Sequence, residues 1–154
     1  MYLLTVVLLM CVLPACSIYV EQYYFHSATP LLSLAGKWFV FWSAGIRLLL
    51  AGLRQFIQPR FTATQIFDIK SDDALPIVRE LGVANFATGV VGTLSLANPS
   101  FVLPVAIAAS LFYGIAGIRH AAEKHRSRNE TIAMVSDLFV SLVLAGYVIF
   151  VAMR

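Results

Sequence analysis

Charge is scarce in this sequence. Only 12% of the 154 residues are Asp, Glu, Lys or Arg, against 60% hydrophobic residues, and the mean hydropathy is +0.83. An ordinary water-soluble globular domain is excluded by that balance. Cysteine is nearly absent too: Cys11 and Cys16 stand five residues apart in one apolar run with no third cysteine elsewhere, which argues against a structural disulfide. There is no Gly-rich phosphate loop, no nucleophile elbow and no zinc-type helix motif, so no reaction is specified. Internal repeats and low-complexity segments are also lacking. The net charge of +3 comes from basic residues placed between apolar runs rather than along an aromatic-interleaved stripe, so nucleic acid is not an expected partner and anionic lipid is the better fit.

What the chain does have is apolar runs of membrane-spanning length. A hydrocarbon core about 30 Å thick takes roughly 20 residues of helix, and in lipid every backbone amide must find its partner within the helix itself. The expected fold is all-α, a polytopic bundle of about five transmembrane helices forming a single transmembrane domain over residues 1–154. The helices are predicted at about 3–20, 38–57, 75–97, 101–121 and 132–153, with a short interfacial helix at about 62–69. Residues 21–36 read as a loop whose Tyr23, Tyr24 and Phe25 suit the membrane interface. Thr62 with Gln65 has the pattern of a capping box, with Phe61 and Ile66 as a staple. Asp72 and Asp73 are placed to cap the third long helix, Asn98-Pro99-Ser100 to form a tight turn, and Asn129 to start the fifth.

Leu13-Pro14-Ala15-Cys16 looks like a lipoprotein cleavage box. Proline before the small residue is atypical of such boxes, however, and the run lacks a basic start, so it reads as a retained helix.

Counting Lys and Arg on each side of the five-helix arrangement yields an orientation. One side holds Arg54, Arg60, Lys70, Arg79, Arg119, Lys124, Arg126 and Arg128, the other only Lys37 and Arg154. By the positive-inside rule the amino terminus is cytoplasmic and the carboxyl terminus outside. The sequon Asn129-Glu130-Thr131 then faces the cytoplasm and reads as a helix start.

Ionisable groups inside a bilayer are costly, so each is a candidate for function. Arg47 lies near the middle of the second helix, and Asp137 of the fifth is its best partner. Glu80, Asn85 and His120 fall in the same leaflet by depth. A cluster of Arg47, Glu80, Asn85, His120 and Asp137 has two readings that depth alone leaves open. One is a structural network that holds helix register; the other is a proton-handling or small-ligand site, since a histidine beside two carboxylates can titrate near neutrality. No metal site is expected: His120 and His125 are five apart, off one helical face, and His26 lies at the opposite side. Gly82, Gly89 and Gly92 in the third helix, with Ala106, Ser110 and Gly114 at four-residue spacing in the fourth, are packing positions. They are expected to let those two helices approach each other, or a second copy of the protein.

From Lys37 to Phe150 the chain resembles small bacterial membrane proteins in the style of the DoxX-like four-helix families. The residues that carry the resemblance are Gly45 and Pro59, the stretch Glu80-Leu81-Gly82-Val83-Ala84-Asn85-Phe86 with Gly89 and Gly92, the stretch from Phe112 to His120, Asn129, and Ser136-Asp137. The resemblance implies a four-helix core with an added amino-terminal helix and polar positions at Glu80, Asn85, His120 and Asp137. It implies no activity, although such families are loosely associated with redox or quinone-linked membrane processes. The leading expectation is a non-enzymatic accessory or structural subunit of a membrane assembly, forming a homo-oligomer or larger complex among membrane lipids. The alternative is a proton-coupled carrier, or a protein that interacts with quinone or lipid in a redox-linked process. No cofactor is required by the residues, and lipid or quinone is the kind of molecule such a bundle could take. The orientation is directly testable: in a Cys11→Ala/Cys16→Ala background, Lys124→Cys should react with a membrane-impermeant maleimide only after cells are opened, and labelling in intact cells would invert the topology.

Overall fold

The computed structural model describes residues 2–125 and 127–154, and among them there are helices and turns but no strand. Five helices are long and apolar enough to cross a membrane: α1 Tyr2–Tyr24, α2 Leu31–Ile57, α4 Leu75–Leu94, α5 Val102–Ala122 and α6 Arg128–Ala152. A short α3, Pro59–Gln65, follows α2. The outward faces are as apolar as the inward ones. Leu111, Ile115 and Ile118 form an exposed stripe on α5, and Val135, Leu142 and Ile149 are exposed on α6. In water such a surface would drive aggregation; against acyl chains it costs nothing.

The helix ends differ from the sequence reading where local partners decide. Instead of a loop over residues 21–36, α1 runs on to Tyr24 and α2 begins at Leu31. Glu21 does not break α1 because its carboxylate accepts from Lys37 Nζ at 2.8 Å and from Trp38 Nε1 at 2.7 Å. The short helix starts at Pro59, whose missing amide hydrogen is harmless in a first turn, so Thr62 lies inside it and forms no capping box with Gln65. Asp68, at φ 52°, turns the chain away after it. Ser71, rather than Asp72 or Asp73, caps the turn before α4, its hydroxyl accepting from the Asp73 amide. At α6 the cap is Ser127, paired with Glu130 in a reciprocal capping box, and Asn129 lies inside the first turn.

Packing centres on α2, which touches α1, α4, α5 and α6. Two modes hold the bundle. On one side, α1, α2, α5 and α6 share an apolar core that includes Met10, Phe39, Val40, Leu48, Ala106, Ala109, Val140 and Leu144. On the other side α4 contributes nothing to that core and is held by backbone proximity. A Cβ on Gly89 would lie 2.3 Å from the Leu49 amide nitrogen, one on Gly52 2.5 Å from the Gly82 carbonyl oxygen, and one on Gly45 2.8 Å from the Gly92 carbonyl carbon. Gly45, Leu49 and Gly52 form one stripe at helical spacing, and it runs antiparallel to Gly82, Gly89 and Gly92.

The expectation that α4 and α5 pack through their small residues is therefore corrected. The α4 glycines serve α2. Gly114 and Gly117 of α5 instead face Ser141 and Leu138 of α6, and the Ser141 hydroxyl donates to the Ser110 carbonyl at 2.8 Å. Close approach is the main source of helix affinity in lipid, so Gly89→Leu should lower Tm in mild detergent, with a destabilisation of about 1–3 kcal/mol or more from overpacking. Gly146→Ala, at a position where a Cβ meets nothing within 4 Å, should leave Tm unchanged. Equal effects from the two variants would refute this packing.

Candidate functional site

The interior is polar at one level. In α2 the turn over Val40–Ile46 is widened to π geometry, and the Arg47 amide bonds to Trp42, five residues back rather than four. A widened turn takes in one extra residue and shifts the phase of everything after it, a device often found at functional positions. Arg47 consequently faces inward. One guanidinium nitrogen donates to the Tyr113 hydroxyl at 3.2 Å, and another lies 3.4 Å from Asp137 Oδ1. Tyr113 is fully buried, and its hydroxyl donates in turn to the Ser43 carbonyl at 2.5 Å. Its ring centre stands 5.2 Å from the guanidinium carbon. One side chain of α2 thereby joins α5 and α6.

The pairing is close but not saturated. A guanidinium has five N–H donors, and among the described residues those of Arg47 meet Tyr113 and Asp137, with the Tyr2 hydroxyl also within reach. The Arg47 side chain is still 15% exposed. What it is exposed to is a cavity of about 420 Å³ at the end of the bundle where α1 begins and α2 ends. The walls are mostly apolar, among them Val6, Leu9, Leu48, Leu81, Phe112 and Ala116, and the polar groups that converge include Tyr2, Arg47, Arg54, Asn85, His120 and Asp137. Asn85 Nδ2 donates to Gln55 Oε1 at 2.8 Å, tying α4 to α2.

Over this end sits α3. Phe61 stacks beneath the Arg54 guanidinium at 3.5 Å, Arg60 pairs with Asp72 at 2.7 Å, and Asn129 donates to the Gln65 carbonyl at 3.4 Å. These contacts link the short helix to α2, to the turn before α4 and to α6. Phe61, Thr62 and Ile66 form part of the cavity wall.

Of the five polar positions singled out in the sequence, Arg47, Asn85, His120 and Asp137 line this one cavity. Glu80 does not: it is exposed and outside the lining. At about 100° per residue, Glu80 is about 140° around α4 from Asn85 and 200° from Gly82, so the face that meets α2 turns Glu80 away. Among the described residues no group of three His, Cys, Asp or Glu side chains could hold a metal; His26 and His125 are both exposed and outside the cavity.

Sequence reasoning missed Tyr113, Arg54 and Gln55. Tyr113 had a signal: Ala109 and Gly117, four residues to either side, are small and clear a space that only a large side chain fills. Arg54 and Arg47 are seven residues apart, hence on one face of α2, which also was readable.

A buried cation left with half a pair is strongly destabilising. Asp137→Asn should therefore cost about 3–5 kcal/mol in unfolding measured by chemical denaturation in detergent. The double variant Arg47→Met/Asp137→Leu should recover most of that loss, and additive losses in the double variant would show that the two groups are not coupled.

The model of one protein family, described as a family of unknown function (DUF6790), matches residues 1–154. Searches of curated proteins and of solved structures return no match.

Proposed function

The chain belongs to the DUF6790 family of unknown function, and with no activity to carry over from it we propose, from the cavity, that this multi-pass membrane protein binds an amphiphilic molecule of the lipid or quinone kind. A single observation carries the reading. A largely apolar cavity of about 420 Å³ surrounds an Arg47–Asp137 pair that has donors to spare. Sites for small organic molecules have this character, with apolar walls and a few convergent polar groups. A bundle built only to hold register has no use for such a space, because each lost contact weakens it.

The cavity lies in one half of the bundle. Beyond Tyr113 the space between α2, α5 and α6 is filled by Phe39, Val40, Val140 and Leu144, so the geometry favours binding over passage and weighs against the carrier reading. On the count of basic residues, we place the cavity end at the cytoplasmic face, and the sequence resemblance to small bacterial membrane proteins makes a bacterial inner membrane our choice of location.

One feature favours the accessory-subunit reading as the second choice. Gly146 on α6 has open space where a Cβ would be, between exposed Leu142 and Ile149, and a partner helix could approach closely there.

The two are separable by filling the cavity. Native mass spectrometry of the protein from mild detergent should show about one bound lipid or quinone per chain, lost in Ala116→Phe without loss of Tm. Wild-type protein free of any bound amphiphile, accompanied by a stoichiometric protein partner, would favour the accessory role and reject binding.

A further inference from the structure

The charge of the cavity is unbalanced, and the imbalance names a ligand class. Its lining contains two arginines, Arg47 and Arg54, and one carboxylate, Asp137. That carboxylate faces Arg47. Arg54 takes part in none of the ion pairs among the described residues, which are Lys37–Glu21, Arg47–Asp137 and Arg60–Asp72. Its guanidinium carbon lies 3.5 Å from the centre of the Phe61 ring. Stacking occupies a face of the guanidinium and leaves its N–H edge open, and that edge is the part that matches a carboxylate or phosphate bidentately.

The two arginines are also in register. Seven residues apart, they lie two turns apart on one face of α2, about 10 Å along the axis. Arg54 is exposed, at the cavity's mouth, while Arg47 is deep and half-buried. Between the mouth and the surrounding lipid, α4 and α5 make few contacts with each other. Leu81 of α4 and Phe112 of α5 line the cavity at this seam, and Phe112 is 38% exposed. A hydrocarbon tail has an apolar path there.

Resting on the binding reading above, we propose that the occupant is a single-chain amphiphile with an anionic head, carboxylate or phosphate, whose head is held by the Arg54 edge and whose tail passes between Leu81 and Phe112. Phe61 acts here as the positioning residue, since it sets the plane of the guanidinium. The cation excess disfavours amphiphiles with an ammonium head, which would meet like charge.

Delipidated full-length protein in a neutral maltoside detergent, titrated with radiolabelled probes, tests this. Oleate and oleyl phosphate should bind at one per chain, with oleyl alcohol weaker by about ten-fold or more, the difference a charge-assisted hydrogen bond makes. Arg54→Gln should abolish that preference while oleyl alcohol binds as before, and Arg54→Lys, which keeps the charge without the bidentate edge, should fall between. Ala116→Phe should remove all binding. If oleate and oleyl alcohol bind alike to the wild type and both are lost in Ala116→Phe, the cavity binds amphiphiles but the anionic head is wrong. Should acetate or inorganic phosphate compete as strongly as oleate, the site takes a free anion and the tail path is refuted. No binding of any probe to the wild type would reject the binding reading along with this one.

Discussion

A guanidinium in the middle of an apolar bundle is the constraint around which the rest is arranged. Leaving Arg47 unpaired in hydrocarbon would cost more than most single interactions in the protein supply. Three elements answer it: Tyr113 from α5, Asp137 from α6, and the widened turn of α2 that aims the side chain at both. Tyr113 then has its own obligation, which the Ser43 carbonyl meets. Polar satisfaction of one residue thus sets the relative rotation of three helices.

The glycine stripe solves a different problem. α4 brings no side chain to the apolar core, and in lipid there is no hydrophobic drive to press it against its neighbour. Gly45 and Gly52 facing Gly92 and Gly82 let two backbones approach until van der Waals contact alone holds them. The consequence for the site is indirect. With α4 committed to α2, its contacts with α5 are few, and the space left between them on the α3 side belongs to the cavity. The same arrangement that fastens α4 also brings Asn85 to Gln55 and turns Glu80 outward.

Two kinds of polar residue coexist in the bundle. At the far end, Glu21 is matched by Lys37 and Trp38, and Trp42 donates to Ser17 at 3.0 Å. Those groups consume one another and tie α1 to α2. At the α3 end, Arg47 and Arg54 retain donors, and the walls around them are apolar. The two ends thus differ in pairing rather than in space: Glu21, Lys37 and Trp38 border a cavity of their own but bond to one another, whereas Arg47 and Arg54 keep donors toward theirs.

Much was legible in the residues alone. Helix number, the apolar surroundings, the basic end and the pairing of Arg47 with Asp137 follow from properties that each segment carries by itself: length, hydropathy, charge, and depth along a helix of known rise. Depth also brought Glu80 into the expected cluster, wrongly grouped with Asn85, because rotation about the axis depends on which neighbour a helix meets. That is a tertiary matter. Only the assembled bundle decided that the α4 glycines serve α2 rather than α5, that a widened turn points Arg47 at Tyr113, and that a cavity remains beneath α3. Each of these is a property of two surfaces in contact, and a pattern along one helix does not say which partner it will meet.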